Sequence, residues 1–187
     1  SSLKPLEKVL PSHLKNLENL ILQDQIIKKP IIVDRDHNIV LDGSHRYAFL
    51  IRYGYEFAPV IKVNYSDESI FVGNHLKHRY IQDKSFVISK SEVISRGLNE
   101  DIYSARTTRH FFPFRKEDFP VSLERLNKGF KQDISYLIED VACNEEIDTD
   151  LTYIAEINEE LEILKMYMKE QNEVKAYLEM QIQAMKN

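Results

Sequence analysis

Five residues, Asp42-Gly43-Ser44-His45-Arg46, constrain this chain most, because they join a strand signal directly to a helix signal. Ahead of them Ile31-Ile32-Val33 and Ile39-Val40-Leu41 flank the polar turn Asp34-Arg35-Asp36-His37-Asn38, the pattern of a β-hairpin. Behind them Arg46 to Tyr53 reads as a helix that Gly54 stops. A strand that passes through a glycine into a helix leaves unpaired N–H groups and partial positive charge at the helix mouth, an anion site. Gly43 admits close approach of the backbone, Ser44 offers a hydroxyl, and His45 and Arg46 offer charge-assisted bonds to phosphate oxygens. Asp42 repels a bare phosphate, and a magnesium ion between the two would reconcile them. On these residues alone, a plain strand-turn-helix with Asp42 as a cap and His45 and Arg46 on the surface accounts for the run as well.

Elsewhere the chain alternates strand and helix signals. Ser12 is placed to cap a helix on which Leu14, Leu17, Leu20 and Ile21 recur at helical spacing, and Pro30 ends that region. Pro59 to Val63 reads as a strand, and Ser66-Asp67-Glu68 as the acidic opening of another helix. Ser89-x-x-Glu92 is a capping box, with Gly97 as the stop of a short helix. Tyr103 to Phe114 reads as irregular. These signals predict an α+β core of about the first 115 residues.

Beyond the core the character changes. Ile134, Leu137, Ile138 and Val141 recur at helical spacing before an acidic run, Asn144 to Asp150. The remainder, without Gly or Pro, carries Ile154, Ile157, Leu161, Leu164, Met168, Leu178, Ile182 and Met185 on a heptad-like seam that Gln171 and Lys175 interrupt. A long helix with that stripe either packs on its own domain or joins subunits; a homo-oligomer held through it is the expectation.

The net charge of -5 argues against non-specific grip on a nucleic-acid backbone. A single cysteine, Cys143, excludes an internal disulfide and points to a reducing, cytoplasmic setting. No apolar run approaches the ~20 residues of a membrane span, and no signal-peptide pattern opens the chain. It begins with Ser1 rather than Met, so native residues ahead of it are expected.

Three blocks carry a resemblance. They are Leu3-Lys4-Pro5-Leu6-Glu7, Val40-Leu41-Asp42-Gly43-Ser44-His45-Arg46-Tyr47, and the most specific, Tyr103 to Phe114 with Thr107-Thr108-Arg109-His110 at its centre. In this order they resemble the ParB/sulfiredoxin superfamily, and within it the free L-serine kinases. The resemblance covers residues 1 to about 126. It implies a mixed sheet with helices forming a nucleotide-binding domain over 1–126, and it says nothing of the helical region that the periodicity predicts over 127–187. It also implies a small-molecule kinase that uses ATP or ADP with Mg2+ on a small hydroxylated substrate, a serine-like amino acid or another acidic metabolite. Glu7 stands where those kinases carry the base that accepts the hydroxyl proton, a role a positioned carboxylate suits. Asp42, Gly43, Ser44, His45 and Arg46 stand where the nucleotide phosphates are held. Thr107, Thr108, Arg109 and His110 stand near the acceptor, with a guanidinium suited to an acidic group.

The chain departs from the kinase pattern in two ways. A substantial insertion is missing between Val63 and the helix before the third block, and no tryptophan is present near Asn74-His75. Part of the substrate wall therefore differs, with His75 and His78 as possible pocket residues. The competing reading is a ParB-type nucleotide-dependent regulator or DNA-binding protein that dimerises through its C-terminal helix. A sulfiredoxin-like repair enzyme needs a cysteine in the turn, where this chain has Ser44.

Overall fold

A computed structural model describes residues 2–74, 88–114 and 118–140. The chain divides into two compact units, Ser1–Val141 and Ala142–Asn187, and every described residue lies in the first. The heptad-like seam, His75 and His78 lie outside the described residues.

The hairpin forms as its sequence predicts. Strand β2 (Ile31–Asp34) is central in a three-stranded sheet, antiparallel to β3 (Val40–Asp42) on one side and parallel to β4 (Val60–Val63) on the other. All four β2 residues are buried because both faces of the sheet are covered. Ile31 and Val33 point to one apolar cluster, and Ile32 to another. Two short ribbons complete the strands: β1 (Ile26–Ile27) with β7 (Val121–Ser122), and β5 (Phe71–Asn74) antiparallel to β6 (Thr108–Phe111). The result is a mixed α/β fold.

Helix α1 (Pro11–Asp24) and helix α2 (Ser44–Tyr53) cover the first face, contributing Leu14, Ile21, Tyr47, Ala48, Phe49 and Leu50 to the core. Ser12 is not the cap of α1. Leu10 holds that position and Pro11 starts the helix, where a proline loses no hydrogen bond. Leu20 points to solvent at 57% exposure rather than joining the apolar stripe. Helix α3 (Lys90–Asn99) opens as predicted, with the Ser89 hydroxyl accepting from the Glu92 N–H. Gly97 does not end it. It lies inside the helix against Ile39, where a Cβ would stand 2.6 Å from the Ile39 side chain.

The Ser66-Asp67-Glu68 segment opens a turn, not a helix. Asp67 Oδ1 accepts from both the N–H and the hydroxyl of Ser69, a local bond that competes with helical pairing, and β5 follows. Residues 134–138 form only a short 3-10 turn over Ser135–Leu137 in place of the expected helix. Ile134 and Leu137 nonetheless pack into the first cluster, so residues past 126 build the core. Among the described residues no helix is long and apolar enough to cross a membrane.

Candidate functional site

The amino-terminal segment runs extended through the fold. Lys4 pairs in parallel with Ile39, Glu7 with Tyr103, and Val9 with Ile138. Leu6 and Val9 anchor it, at 1% and 0% exposure. Because Lys4 lies beside Ile39 in parallel, Glu7 comes level with Asp42 at the end of β3. Glu7 and all of Asp42 to Arg46 are half-buried, as a crevice requires.

Glu7 is gripped by the third block. Its Oε1 accepts from the Thr108 N–H, with further bonds from the Thr107 backbone and the Thr108 side chain. Burial dominates these bonds and, with the Asp42 carboxylate nearby, pushes the Glu7 pKa up to about 7. A carboxylate near neutrality is poised to take a proton at working pH.

The turn has the expected backbone. Gly43 caps α2 at φ +100°, a left-handed conformation that favours glycine, and no side chain caps the helix. The N–H groups of Ser44, His45 and Arg46 therefore face the helix mouth. Two side chains of the turn are engaged with the surrounding fold. Arg46 turns back: it donates to the carbonyls of Lys29 and Pro30, both at 2.9 Å, and lies 3.3 Å from Asp42 Oδ2. It fastens the turn to the preceding loop. His45 Nε2 accepts from the Leu10 N–H at 3.3 Å, so the neutral ring carries its proton on Nδ1. Burial, then His13, Arg106 and Arg46, push its pKa down to about 4.

In the third block, Thr107 and Thr108 are buried and serve Glu7, while the Thr107 hydroxyl also donates to the Ser104 carbonyl at 2.7 Å. Residues 108–111 form β6 rather than an irregular loop, and the alternation of the strand separates Arg109 from His110. His110 is buried, its Nε2 2.9 Å from the Tyr65 hydroxyl and its ring stacked on Phe112. Arg109 lies on the other face, opposite Gly73.

His13 and Arg106 join this centre, although neither was among the predicted site residues. Arg106, at φ +58°, places Nη2 3.4 and 3.3 Å from the two ring nitrogens of His13, and the His13 ring centroid lies 5.9 Å from that of His45. The guanidinium that the third block turns toward the helices is thus Arg106. Glu139 supports it, its Oε2 accepting from the Ala105 N–H at 2.5 Å. No local pattern could have found these contacts, which join residues 93 and 34 positions apart. A cleft of about 660 Å³ between Pro30, Pro59, Phe119 and Leu126 contains none of the predicted site residues.

The fold places the chain in a class. It matches a free serine kinase, solved as a glutamate mutant in complex with ADP, with a TM-score of 0.58 over 67% of this chain and 90% of that one at 17% identity. In sequence the chain is 36% identical over 72 residues to the ATP-dependent L-serine kinase of Staphylothermus marinus, a match covering 36% of this chain and 29% of that protein. It is 35% identical over 77 residues to a ParB-like protein of Sulfolobus acidocaldarius, covering 36% of this chain and 39% of that protein. The matches thus span well under half the length of either curated relative. No protein-family model matches the chain. The resemblance to free serine kinases is borne out in both fold and sequence, and that to ParB-like proteins in sequence.

Proposed function

We propose that this protein is a small-molecule kinase that moves the terminal phosphoryl group of ATP or ADP to the hydroxyl of a serine-like amino acid or another small acidic metabolite. The observation that carries this reading is the Glu7 carboxylate, held by Thr107 and Thr108 beside the Asp42–Arg46 turn with its pKa near 7. The likeness to serine kinases in sequence and fold supports it.

The nucleotide phosphates lie at the mouth of α2 on the N–H groups of Ser44 to Arg46, approached past Gly43. The acceptor hydroxyl oxygen attacks the terminal phosphorus, its proton passes to Glu7, and the bond to the departing nucleotide oxygen breaks. Most of the rate comes from alignment and charge compensation rather than from the base. Magnesium fits this centre only as a companion of the phosphates. Among the described residues no cluster of three or more ligating side chains could hold a metal. One or two carboxylates with phosphate oxygens and water suffice for Mg2+. Asp42 would hold the ion, with Glu7 close by, and it supplies neutralisation of phosphate charge.

The match to a ParB-like protein favours a second reading, a nucleotide-dependent regulator. A phosphoryl-transfer assay with ATP and ADP against hydroxylated amino acids and hydroxy acids separates the two. Turnover that vanishes in Glu7→Gln while nucleotide still binds supports the kinase. No turnover with any acceptor, together with salt-dependent binding to duplex DNA, would replace it with the regulator. A homo-oligomer joined through the C-terminal helix is part of the proposal, and light scattering before and after truncation near Asp150 tests it.

A further inference from the structure

We propose that Glu139 is a positioning residue of this centre, whose carboxylate sets the 104–107 turn and, through it, the N–H groups that hold Glu7. Its effect on turnover rests on the kinase reading; its coupling to Glu7 rests on geometry.

The first block is bonded along both of its edges. On one edge the Lys8 N–H donates to the Tyr103 carbonyl and the Tyr103 N–H to the Leu6 carbonyl, both at 2.9 Å. On the other, the Val9 N–H donates to the Leu137 carbonyl at 2.8 Å and the Glu139 N–H to the Val9 carbonyl at 3.0 Å. Consecutive residues of an extended segment turn their backbone groups to opposite edges, so Tyr103 and residues 137–139 flank the block from opposite sides. The Glu139 backbone lies on the Val9 edge, yet its Oε2 accepts from the Ala105 N–H, two residues past Tyr103, at 2.5 Å. Its side chain straps the first block to the third.

Both ends of this strap are fixed. Ile134 and Leu137, at 5% and 1% exposure, seat the approach to Glu139 in the first apolar cluster. At the other end Arg106 stands at φ +58°, a left-handed conformation that a residue with a Cβ adopts only when surrounding bonds impose it. Those bonds run from the Ala105 N–H to Glu139 and from the Thr107 hydroxyl to the Ser104 carbonyl. Past Arg106 the chain leads at once into Thr107 and Thr108, whose N–H groups bond Glu7. Two carboxylates, Glu139 and Glu7, therefore hold residues 105–108 at either end, one on each side of Arg106. Releasing the Ala105 N–H lets the turn relax toward a right-handed backbone and swings the N–H groups away from Glu7.

Glu139→Ala, Glu139→Asp and Glu139→Gln in the full chain test this, by steady-state phosphoryl transfer and by NMR-detected amide exchange. The first removes the acceptor, the second draws it back by a methylene, and the third keeps an oxygen in place. In Glu139→Ala, kcat should fall about tenfold or more while the KM for the nucleotide stays within about twofold, because alignment alone is lost. Exchange of the Thr108 N–H should quicken about tenfold or more, beyond any change at Val33 in the central strand, which reports global opening. Glu139→Asp should show both losses in smaller degree, and it carries the test if Glu139→Ala fails to fold. Glu139→Gln should restore both. Folded Glu139→Ala and Glu139→Asp proteins with wild-type kcat and wild-type Thr108 exchange overturn the positioning role. So does a Glu139→Gln protein as impaired as Glu139→Ala, or a raised KM for the nucleotide with kcat unchanged. A chain that transfers no phosphoryl group, yet quickens Thr108 exchange in Glu139→Ala and not in Glu139→Gln, keeps the coupling of Glu139 to Glu7 and loses the kinase reading.

Discussion

Replacing Glu7 with Gln isolates the cost of burying a charge at the centre of the site. In the folded protein the Glu7 pKa stands at about 7 against an ordinary 4.5, chiefly because burial penalises the carboxylate. The folded state therefore holds a proton that the unfolded state has released over that interval, and stability falls as pH rises through it. The full difference is worth ~3 kcal/mol at ~1.4 kcal/mol per pKa unit, and most of it falls between pH 5 and pH 8.5. Gln keeps an oxygen for the Thr108 N–H but never ionises. Relative to wild type, Glu7→Gln should gain ~2–3 kcal/mol of stability on going from pH 5 to pH 8.5, read from urea denaturation at both values. His45 has the opposite sign, its stabilising contribution growing as pH rises from about 4 towards 6.5, but it is present in both proteins and cancels. On the proposed kinase reading, the rate of phosphoryl transfer in wild type should rise through an inflection near pH 7 as Glu7 deprotonates, and Gln should abolish it. Parallel pH–stability curves for the two proteins would refute the burial argument, and full activity in Glu7→Gln would refute the base.

Three further substitutions probe the frame around the site. Arg46→Ala removes the bonds to Lys29, Pro30 and Asp42 and should cost ~3 kcal/mol in urea denaturation; wild-type stability would show that the guanidinium does not fasten the turn. Gly97→Ala drives a Cβ to 2.6 Å from the fully buried Ile39 and should cost ~1–3 kcal/mol by overpacking, with a neutral effect in the same assay marking a helix free to move away. Tyr65→Phe strips the hydroxyl from His110 Nε2 in a buried setting, for ~1–3 kcal/mol, and an unchanged melting temperature would mean that His110 finds another partner.

What the sequence made legible was local. The hairpin around Asp34 to Asn38, the capping box at Ser89 and the strand-glycine-helix turn each depend on residues within a few positions of one another. Two misreadings were local signals with a second meaning. The acidic Asp67 bonds backward into a turn, as any short carboxylate can, and Gly97 serves close packing against Ile39 rather than helix termination. The site was legible only as a set of blocks. That Arg106, rather than Arg109, turns toward α1 depends on a left-handed backbone at a non-glycine residue and on Glu139 from a distant segment, neither of which has a spacing to read. His45 looked like a cation because its titration depends first on burial and then on His13 of α1 and Arg106 of the 104–107 turn, none of which is local in the sequence.

The register of the centre is set by the core rather than by the site. Leu6 points into the second apolar cluster with Ile39, Val93 and Tyr103, and Glu7 next to it points to the crevice. In an extended segment neighbouring side chains alternate between faces, so a slip of one residue against Ile39 would exchange the two. It would place a carboxylate among Ile32, Val63 and Tyr65 and leave Leu6 beside the turn. The apolar residues of the first block thus fix where Glu7 stands. Leu6→Ala, although it touches none of the reacting groups, should cost 2–5 kcal/mol as a core cavity. It should also lower turnover by loosening the pairing of Glu7 with Tyr103. A Leu6→Ala protein that is destabilised by that amount yet transfers phosphate at the wild-type rate, assayed well below its melting temperature, would show that the bonds from Thr107 and Thr108 hold Glu7 without help from the core.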